Sequence, residues 1–377
     1  KYAEGLALAG AGVDDAARVG WPPVHGQALL WLASFEASTG DGAAAEADYE
    51  RVMRLAAEAR DDALLLRAGT QRIYVLGYLL DRADEALKLA AVVDALVTRA
   101  GDEPEARAFL LDRVGVVLSI KGAYAEARDH YERSLALYAG GTDQLAVARA
   151  HSGLSNMLAE EGRLGDARSH LDVALQIYEQ TLGPQHPRTA LVRGNLGVFL
   201  MEQGEYAEAE TSIEFALATL EAAYGPNHVK VADTVNSLCD LHLALGDHTR
   251  ALPHCQRAVA IGLAVLPADH PFHAFYLLSL ANALLGLERP AEAVAPLERA
   301  LSIRAPATGD PVERAEVELA LGRALWAAKG DRGRALALAN AARTAYAAAG
   351  EREHRQLVAT EAWLAAHRLA GSTPADQ

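Results

Sequence analysis

The chain has few of the features that mark a special class of protein. Two cysteines in 377 residues cannot build the multiple cross-links of a small, disulfide-rich secreted fold. The longest uncharged stretch near the middle, Pro271 to Leu287, is shorter than the roughly 20 apolar residues that a transmembrane helix needs. The sequence therefore predicts neither a disulfide scaffold nor a membrane protein.

Positive charge is also scarce. The 35 Lys and Arg residues are outnumbered by 50 Asp and Glu, and no run of five basic residues offsets the net charge of -15. Because phosphate backbones and anionic lipids repel such a chain, we expect neither nucleic acid nor a membrane as a partner. The hydrophobic content of 51%, in contrast, suffices for a large core and excludes disorder as the main state.

The first residue is Lys1, and no positively charged leader precedes an apolar segment. We therefore expect a cytoplasmic protein without a signal peptide, and we expect this chain to be part of a longer one. In that compartment Cys239 and Cys255 are predicted to be inert, buried thiols of the core.

An internal repeat organises the sequence. Four segments share one pattern at a spacing of 42 residues, and they begin at Leu154, Leu196, Leu238 and Leu280. In each segment the second residue is small, and alanines stand 12 and 19 residues after it. The pattern extends in both directions, with small slips, to eight repeats of about 41 residues.

Each repeat is predicted to be a helical hairpin, because its apolar residues recur at intervals of three, four and seven. Four repeats are interrupted by an equivalent glycine: Gly122, Gly162, Gly204 and Gly246. Glycine readily takes a positive φ, so we expect it to end the first helix. Two helices approach closely only where the contacting side chains are small, so the small residue should face the alanine of the second helix.

One repeat shows the full pattern in the residues Leu196, Gly197, Leu200, Gly204, Tyr206, Ala209, Ala216 and Leu217. This pattern resembles the tetratricopeptide repeat, whose unit is usually about 34 residues long. The longer unit, with linkers such as 183–187, 225–229 and 267–271, is similar to the repeats of kinesin light chain. The resemblance implies an all-α, right-handed solenoid of about eight helical hairpins plus terminal helices.

The repeat pattern predicts four parts of the chain. Residues 1–23 are expected to be the second helix of an incomplete repeat, whose exposed face could form a homo-oligomer. Residues 24–350 are the array of eight repeats, and residues 351–370 are a capping helix that covers its end. Residues 371–377 are expected to be a flexible tail.

A second resemblance concerns the context of the array. The composition rich in Ala, Arg, Asp and Glu, the sequence Trp21-Pro22-Pro23 and the stretch from Leu321 to Gly350 are similar to regions that follow the catalytic domain of some bacterial serine/threonine protein kinases. The chain itself has no Gly-rich phosphate loop and no His-Arg-Asp or Asp-Phe-Gly motif. The resemblance therefore implies a non-catalytic region that regulates such a kinase or recruits its substrates.

No motif predicts an enzyme, a metal site or a cofactor. The sequence lacks a Gly-x-Ser-x-Gly elbow, a His-Glu-x-x-His pair, a Walker loop and a Cys-x-x-Cys pair. His186, His228 and His270 recur at the 42-residue spacing, but equivalent residues of adjacent repeats lie about 10 Å apart, too far to share an ion. We interpret these histidines as linker residues at the starts of helices.

One repeat has a denser set of metal-ligand residue types: Cys239, His242, His248, His254 and Cys255. Its histidines are six residues apart, which puts them on opposed faces of a straight helix. We therefore favour a structural role over a zinc site.

The exposed faces of the first helices, which line the inner surface of such a solenoid, are the predicted partner-binding surface. The candidate polar residues are Arg149, Ser152, Asn156, Asn195, Asn236, Asp240, Asn282 and Arg323. The candidate apolar residues are Phe109, Val116, Phe275 and Trp326. An asparagine can donate to a carbonyl and accept from an N–H, so a ladder of them suits an extended peptide. The alternative is that these are ordinary solvated residues.

The main hypothesis is a non-catalytic scaffold that binds a peptide or a helix of a partner protein along the inner surface. The alternative is a ligand-sensing array, in which a peptide or small molecule changes the curvature and controls an attached effector or DNA-binding domain. Such a sensor requires different ligand affinities for the two curvatures.

Overall fold

The computed structural model describes residues 2–138, 143–304 and 310–369, so the predicted tail, 371–377, lies outside the described residues. The described residues contain no strand, which confirms the predicted all-α fold class. The α-helices in chain order are α1 Tyr2–Val19, α2 Pro22–Thr39, α3 Gly42–Ala59, α4 Asp62–Tyr74, α5 Ala83–Arg99, α6 Pro104–Ile120, α7 Tyr124–Tyr138, α8 Gln144–Glu160, α9 Leu164–Leu182, α10 Pro187–Glu202, α11 Tyr206–Tyr224, α12 Val229–Ala244, α13 His248–Val265, α14 Phe272–Gly286, α15 Pro290–Ile303, α16 Pro311–Ala327, α17 Arg332–Ala349 and α18 His354–Leu369.

Helices α2 to α17 form eight hairpins in chain order, the number that the repeat predicts. Helix α1 packs on α2, and α18 packs on α17. Helix α4 continues directly into a π-helical turn, Val75–Leu79, which the sequence pattern does not reveal.

Glycines end the first helices as expected. Gly122, Gly162, Gly204 and Gly246 all have φ between 72° and 81°. In the hairpin of α10 and α11, the N–H of Glu205 donates to the carbonyl of Leu200 at 2.9 Å, across the glycine. This bond satisfies a carbonyl that the helix end would otherwise leave unpaired.

Small residues allow the helices of a hairpin to pack closely. A Cβ at Gly197 would clash with Ile213 and lie 3.1 Å from the carbonyl oxygen of Ala209, and one at Gly322 would lie 2.8 Å from that of Ala335. The repeated alanines of the second helices are fully buried: Ala167, Ala174, Ala209, Ala216, Ala251, Ala258, Ala293 and Ala300. The predicted small-to-alanine packing is confirmed.

The chain divides into two compact units. The first unit comprises residues 1–234 and 264–267, and the second comprises 235–263 and 268–377. In the first unit, one core cluster forms around Tyr49 and another around Tyr131. In the second unit, the largest cluster forms around Leu297 and Leu321.

The prediction of free thiols is wrong. Cys239 of α12 and Cys255 of α13 are fully buried, as expected, but they form a disulfide with a Cα–Cα distance of 5.2 Å. The sequence shows both residues at core positions but not that the hairpin places them face to face. The bond therefore links the two helices of one hairpin in the second unit.

Within the described ranges, no helix is both long enough and apolar enough to cross a membrane.

Candidate functional site

The three repeated histidines begin helices, which confirms their structural interpretation. The Nδ1 atoms of His186, His228 and His270 accept hydrogen bonds from backbone N–H groups two residues later, at 3.1 to 3.2 Å. A neutral imidazole can accept at Nδ1 only when its proton is on Nε2. In the part of the chain that the structure describes, no three His, Cys, Asp or Glu side chains are arranged to hold a metal ion.

A cationic and aromatic cluster lies on the first helices of three successive hairpins in the first unit. This arginine cluster consists of Tyr74 at the end of α4, Phe109, Asp112 and Arg113 of α6, and Arg149 of α8. The Arg113 guanidinium carbon lies 4.9 Å from the ring centres of both Tyr74 and Phe109. The Arg149 guanidinium carbon lies 5.3 Å from the centre of the Phe109 ring. Aromatic faces attract cations, so both arginines are held in place by rings.

The buried carboxylate of the cluster pairs with Arg149. Arg149 Nε donates to Asp112 Oδ2, and Asp112 is fully buried. Burial alone would lower the pKa of Arg149, but the charge and the hydrogen bond of Asp112 together have a larger effect and raise this pKa. Arg113 forms no ion pair and no hydrogen bond among the described residues, and its buried Nε has no acceptor. The cluster therefore has one excess positive charge.

A tyrosine of a second helix helps to position this cluster. A Cβ at Gly115 of α6 would lie 3.0 Å from the Tyr131 ring of α7, and one at Gly153 of α8 would clash with the same ring. The two glycines let α6 and α8 approach one tyrosine side chain. Arg113 and Arg149 are within two and four residues of these glycines, so the same packing fixes their backbones.

A second polar cluster lies in the second unit. In this Asp240 triad, Asn236 Nδ2 of α12 donates to Asp240 Oδ2 at 2.8 Å and to Ser279 Oγ of α14 at 3.3 Å. Ser279 Oγ in turn donates to Asp240 Oδ1 at 2.7 Å. Burial raises the pKa of Asp240 to about 6, although the bond from Ser279 opposes the shift.

A third set of contacts joins hairpins that are distant in sequence, within the first unit. His228 Nε2 donates to the carbonyl of Ser38 at the end of α2, at 2.8 Å. Lys230 contacts the hydroxyl of Tyr78, and its Nζ lies 4.2 Å from the centre of that ring. These contacts, named the α2–α12 contact here, connect the first two hairpins with the start of α12.

The remaining predicted polar residues are more dispersed. Asn156 and Asn282 are exposed, and Ser152 and Asn195 are partly exposed; these four side chains form no hydrogen bonds within the described ranges. Arg323 of α16 is half-buried, and burial lowers its pKa.

The apolar candidates have different surroundings. Phe109 belongs to the arginine cluster, and Val116 packs against the core around Tyr131. Phe275 lies 4.3 Å from the guanidinium of Arg304. Trp326 contacts Trp363 and His367 of α18 edge to face.

Sequence reasoning missed Asp112, Arg113, Tyr74 and Ser279 as candidates. The predicted residues Ser152 and Asn236 each stand three residues before the small residue of their repeat. Asp112 stands three before Gly115, so the same spacing is a signal for Asp112. Arg113 stands two before that glycine, which is the spacing of the predicted Asn195 before Gly197. Ser279 likewise stands two before its small residue, Ala281.

Comparisons with known proteins agree with this architecture. A tetratricopeptide repeat profile matches residues 105–180, 146–198 and 230–305, and a second profile of the same description matches 189–229. A search of the curated proteins finds no match.

Three solved structures illustrate the similarity. A Rap protein complexed with Competence and Sporulation Factor is similar with a TM-score of 0.63 and 14% identity, over 90% of this chain and 98% of that one. For the Cut9–Hcn1 hetero-tetramer of APC/C the TM-score is 0.50 and the identity 15%, over 89% and 76%. A Podospora anserina protein with kinesin-light-chain TPR-like repeats gives 0.44 and 23%, over 55% and 98%.

The first two likenesses show the fold alone, because both identities are low. The profiles cover a continuous stretch from residue 105 to residue 305, which is more than half of the chain. With its glycine-ended helical hairpins, the chain belongs to the tetratricopeptide repeat family.

Proposed function

We propose that this protein is a non-catalytic scaffold that binds an acidic segment of a partner protein along the first helices of its first unit. The observation that carries the proposal is Arg113, a half-buried guanidinium held between two aromatic rings without a carboxylate partner. Its family supports the general role, since tetratricopeptide repeat proteins bind other proteins.

The chemistry of the cluster specifies the partner group. A ligand carboxylate would accept from Arg113 and would balance the excess charge that Asp112 leaves. The rings of Tyr74 and Phe109 restrict the guanidinium, so little side-chain entropy is lost on binding. Asn156 and Asn195, on the following first helices, are free to bind the backbone of an extended segment.

The test is a peptide-display selection on the whole chain, followed by affinity measurement of the enriched peptides on two variants. Arg113→Gln should weaken binding about 10- to 100-fold, because a hydrogen bond to a charged group contributes about 1.5 to 3 kcal/mol. Arg133→Gln is the matched control, since Arg133 is exposed and pairs with Asp129 on its own helix. Enriched peptides that bind Arg113→Gln as tightly as the wild type would contradict the proposal.

In a longer protein, this scaffold would recruit substrates for a linked catalytic domain, or regulate it, and a serine/threonine kinase is the domain that the sequence resemblance supports. The kinase link rests on that resemblance alone. Comparing phosphorylation by the full-length protein with and without Arg113→Gln tests it, and an unchanged substrate set would remove the recruiting role.

The α2–α12 contact favours a second candidate, a ligand-sensing array. The contact joins hairpins far apart in sequence, so a ligand that opened or tightened it would change the curvature of the first unit. The solved Rap protein with its bound Competence and Sporulation Factor has the same fold. Small-angle scattering with a selected peptide distinguishes the candidates, because a passive scaffold keeps its radius of gyration and a sensor does not.

A further inference from the structure

The Asp240 triad of the second unit has a charge that the fold does not balance. Both carboxylate oxygens accept hydrogen bonds, but only from the neutral groups of Asn236 and Ser279. No Lys, Arg or His pairs with Asp240 among the described residues. A half-buried carboxylate without a cation destabilises a fold, so its presence needs a reason.

The neighbouring amide is also incompletely satisfied. Both donor hydrogens of Asn236 are used, one on Asp240 and one on Ser279, while its Oδ1 is buried and has no partner. Rotating the amide by 180° does not solve this, because Oδ1 would then face a carboxylate oxygen. Asn236 is only 9% exposed, and an acceptor at this depth that lacks a hydrogen-bond donor costs free energy.

The triad thus presents an unpaired acceptor next to an uncompensated negative charge. We propose that Asn236, Asp240 and Ser279 form a binding site for a primary ammonium group, from a lysine side chain or the amino terminus of a ligand. An ammonium has three N–H donors and no acceptor, so it can donate to Asn236 Oδ1 and to the carboxylate together.

A guanidinium fits this site less well. Its planar donors prefer two free oxygens of one carboxylate, and here each oxygen already accepts a hydrogen bond. A metal ion also lacks support, because no group of three His, Cys, Asp or Glu side chains in the described part of the chain could hold one. The compact ammonium is the cation that matches the acceptors.

The site is open on one side. Asp240 is partly exposed, and Asn282, three residues after Ser279 on α14, is exposed. Residues three apart on a helix share a face, so the exposed Asn282 marks the side from which a ligand reaches the triad. The triad lies in the second unit and the arginine cluster in the first, so this inference does not rest on the proposed function.

The experiment uses three small probes on the whole chain: N-acetyl-lysine methylamide, glycine methylamide, and N-acetyl-norleucine methylamide, which has no amine. The side-chain amide signals of Asn236 are followed by NMR on protein labelled with ¹⁵N-asparagine. At least one amine probe should shift these signals saturably, and the norleucine probe should not. The tighter amine identifies the source, a lysine side chain or an amino terminus.

Asp240→Asn has the same shape as the wild type and should weaken amine binding at least tenfold. The matched control is Asp269→Asn, whose side chain is 85% exposed and pairs with Arg299, and it should bind as the wild type does. The Asn236→Ala variant lacks the amide signals that the NMR experiment follows, so its affinity for the same amine probe is measured by calorimetry. Equal shifts from the norleucine probe, or unchanged affinity in Asp240→Asn, would overturn the proposal.

Discussion

The two units bury charge on their first helices in opposite ways. In the first unit, Arg113 and Arg149 exceed Asp112 by one positive charge, and aromatic rings and one ion pair stabilise it. In the second unit, Asp240 has a negative charge that only neutral hydrogen-bond donors stabilise. An arginine tolerates burial because neighbouring aromatic rings stabilise its guanidinium and because its pKa is high. A buried carboxylate without a cation instead has a raised pKa, because burial disfavours its charged form.

This difference predicts different sensitivity to pH. The charge of the arginine cluster persists at every pH at which the protein is folded, because arginine does not lose its proton. The charge of the Asp240 triad appears only as the pH rises through about 6. The first unit therefore has a positive charge that is independent of pH in the folded range, and the second has a negative charge that depends on pH.

The largest effect should come from removing the carboxylate that pairs with Arg149. Asp112→Asn keeps the shape but leaves Arg149 without its partner, and removing one partner of a buried ion pair costs about 3 to 5 kcal/mol. We expect urea denaturation to show this loss in the free energy of unfolding. The control, Asp129→Asn, removes an exposed pair with Arg133 and should change it by less than about 1 kcal/mol.

A small effect of Asp112→Asn would mean that the aromatic rings alone compensate both arginines. That result would contradict the stated difference between the two units, since the buried charge of the first unit would then not depend on an ion pair.

Reducing the disulfide should affect the second unit alone, because both cysteines lie in it. Cys239 and Cys255 are 16 residues apart, and closing a loop of about this size in the unfolded chain stabilises a protein by about 3 kcal/mol in the chain-entropy account. Hydrogen exchange with and without a phosphine reductant measures the loss of stability in each unit separately. Faster exchange in the first unit as well would show that the units do not unfold separately.

Asp240→Asn should stabilise the protein, with a defined dependence on pH. The native pKa of about 6 lies above the ordinary value of 3.8, so ionisation costs stability as the pH rises through about 6. The asparagine variant avoids this cost, which is about 3 kcal/mol above pH 7 at 1.36 kcal/mol per pKa unit. Below about pH 4 the two proteins should converge. A constant difference across this range in urea denaturation would exclude titration of Asp240 as its cause.

The sequence predicts the hairpins well because single residues encode their geometry. A positive φ at Gly204 and the close approach at Gly197 each require glycine, whatever the rest of the chain does. The histidine caps can be predicted from the sequence for the same reason, since His186 accepts a hydrogen bond from a backbone N–H two residues away.

Features that depend on packing between hairpins cannot be predicted from single residues of the sequence. Arg113 meets the ring of Tyr74 only because two hairpins stack with a particular offset. The π-helical turn at Val75–Leu79 has an apolar sequence that is equally compatible with an ordinary α-helix. The disulfide depends on the rotation of two helices about their axes, which spacing alone does not give.

The smallest effect should come from a histidine pair that gives the first unit a pH response of its own. His151 Nδ1 and His170 Nδ1 share a hydrogen bond of 2.7 Å, and burial together with His170 lowers the pKa of His151 to about 4. A lowered histidine pKa means that stability is present above about 6.5 and is lost as the pH falls towards 4. Between pH 7 and pH 5 we expect a loss of about 1 kcal/mol, because water screens a partly exposed pair. Replacing His151 with glutamine should remove this dependence in the first unit, and NMR titration of the His151 ring checks the midpoint. A midpoint near 6.5 would show that this pair does not lower the pKa of His151, and the expected loss of stability between pH 7 and pH 5 would then have another cause.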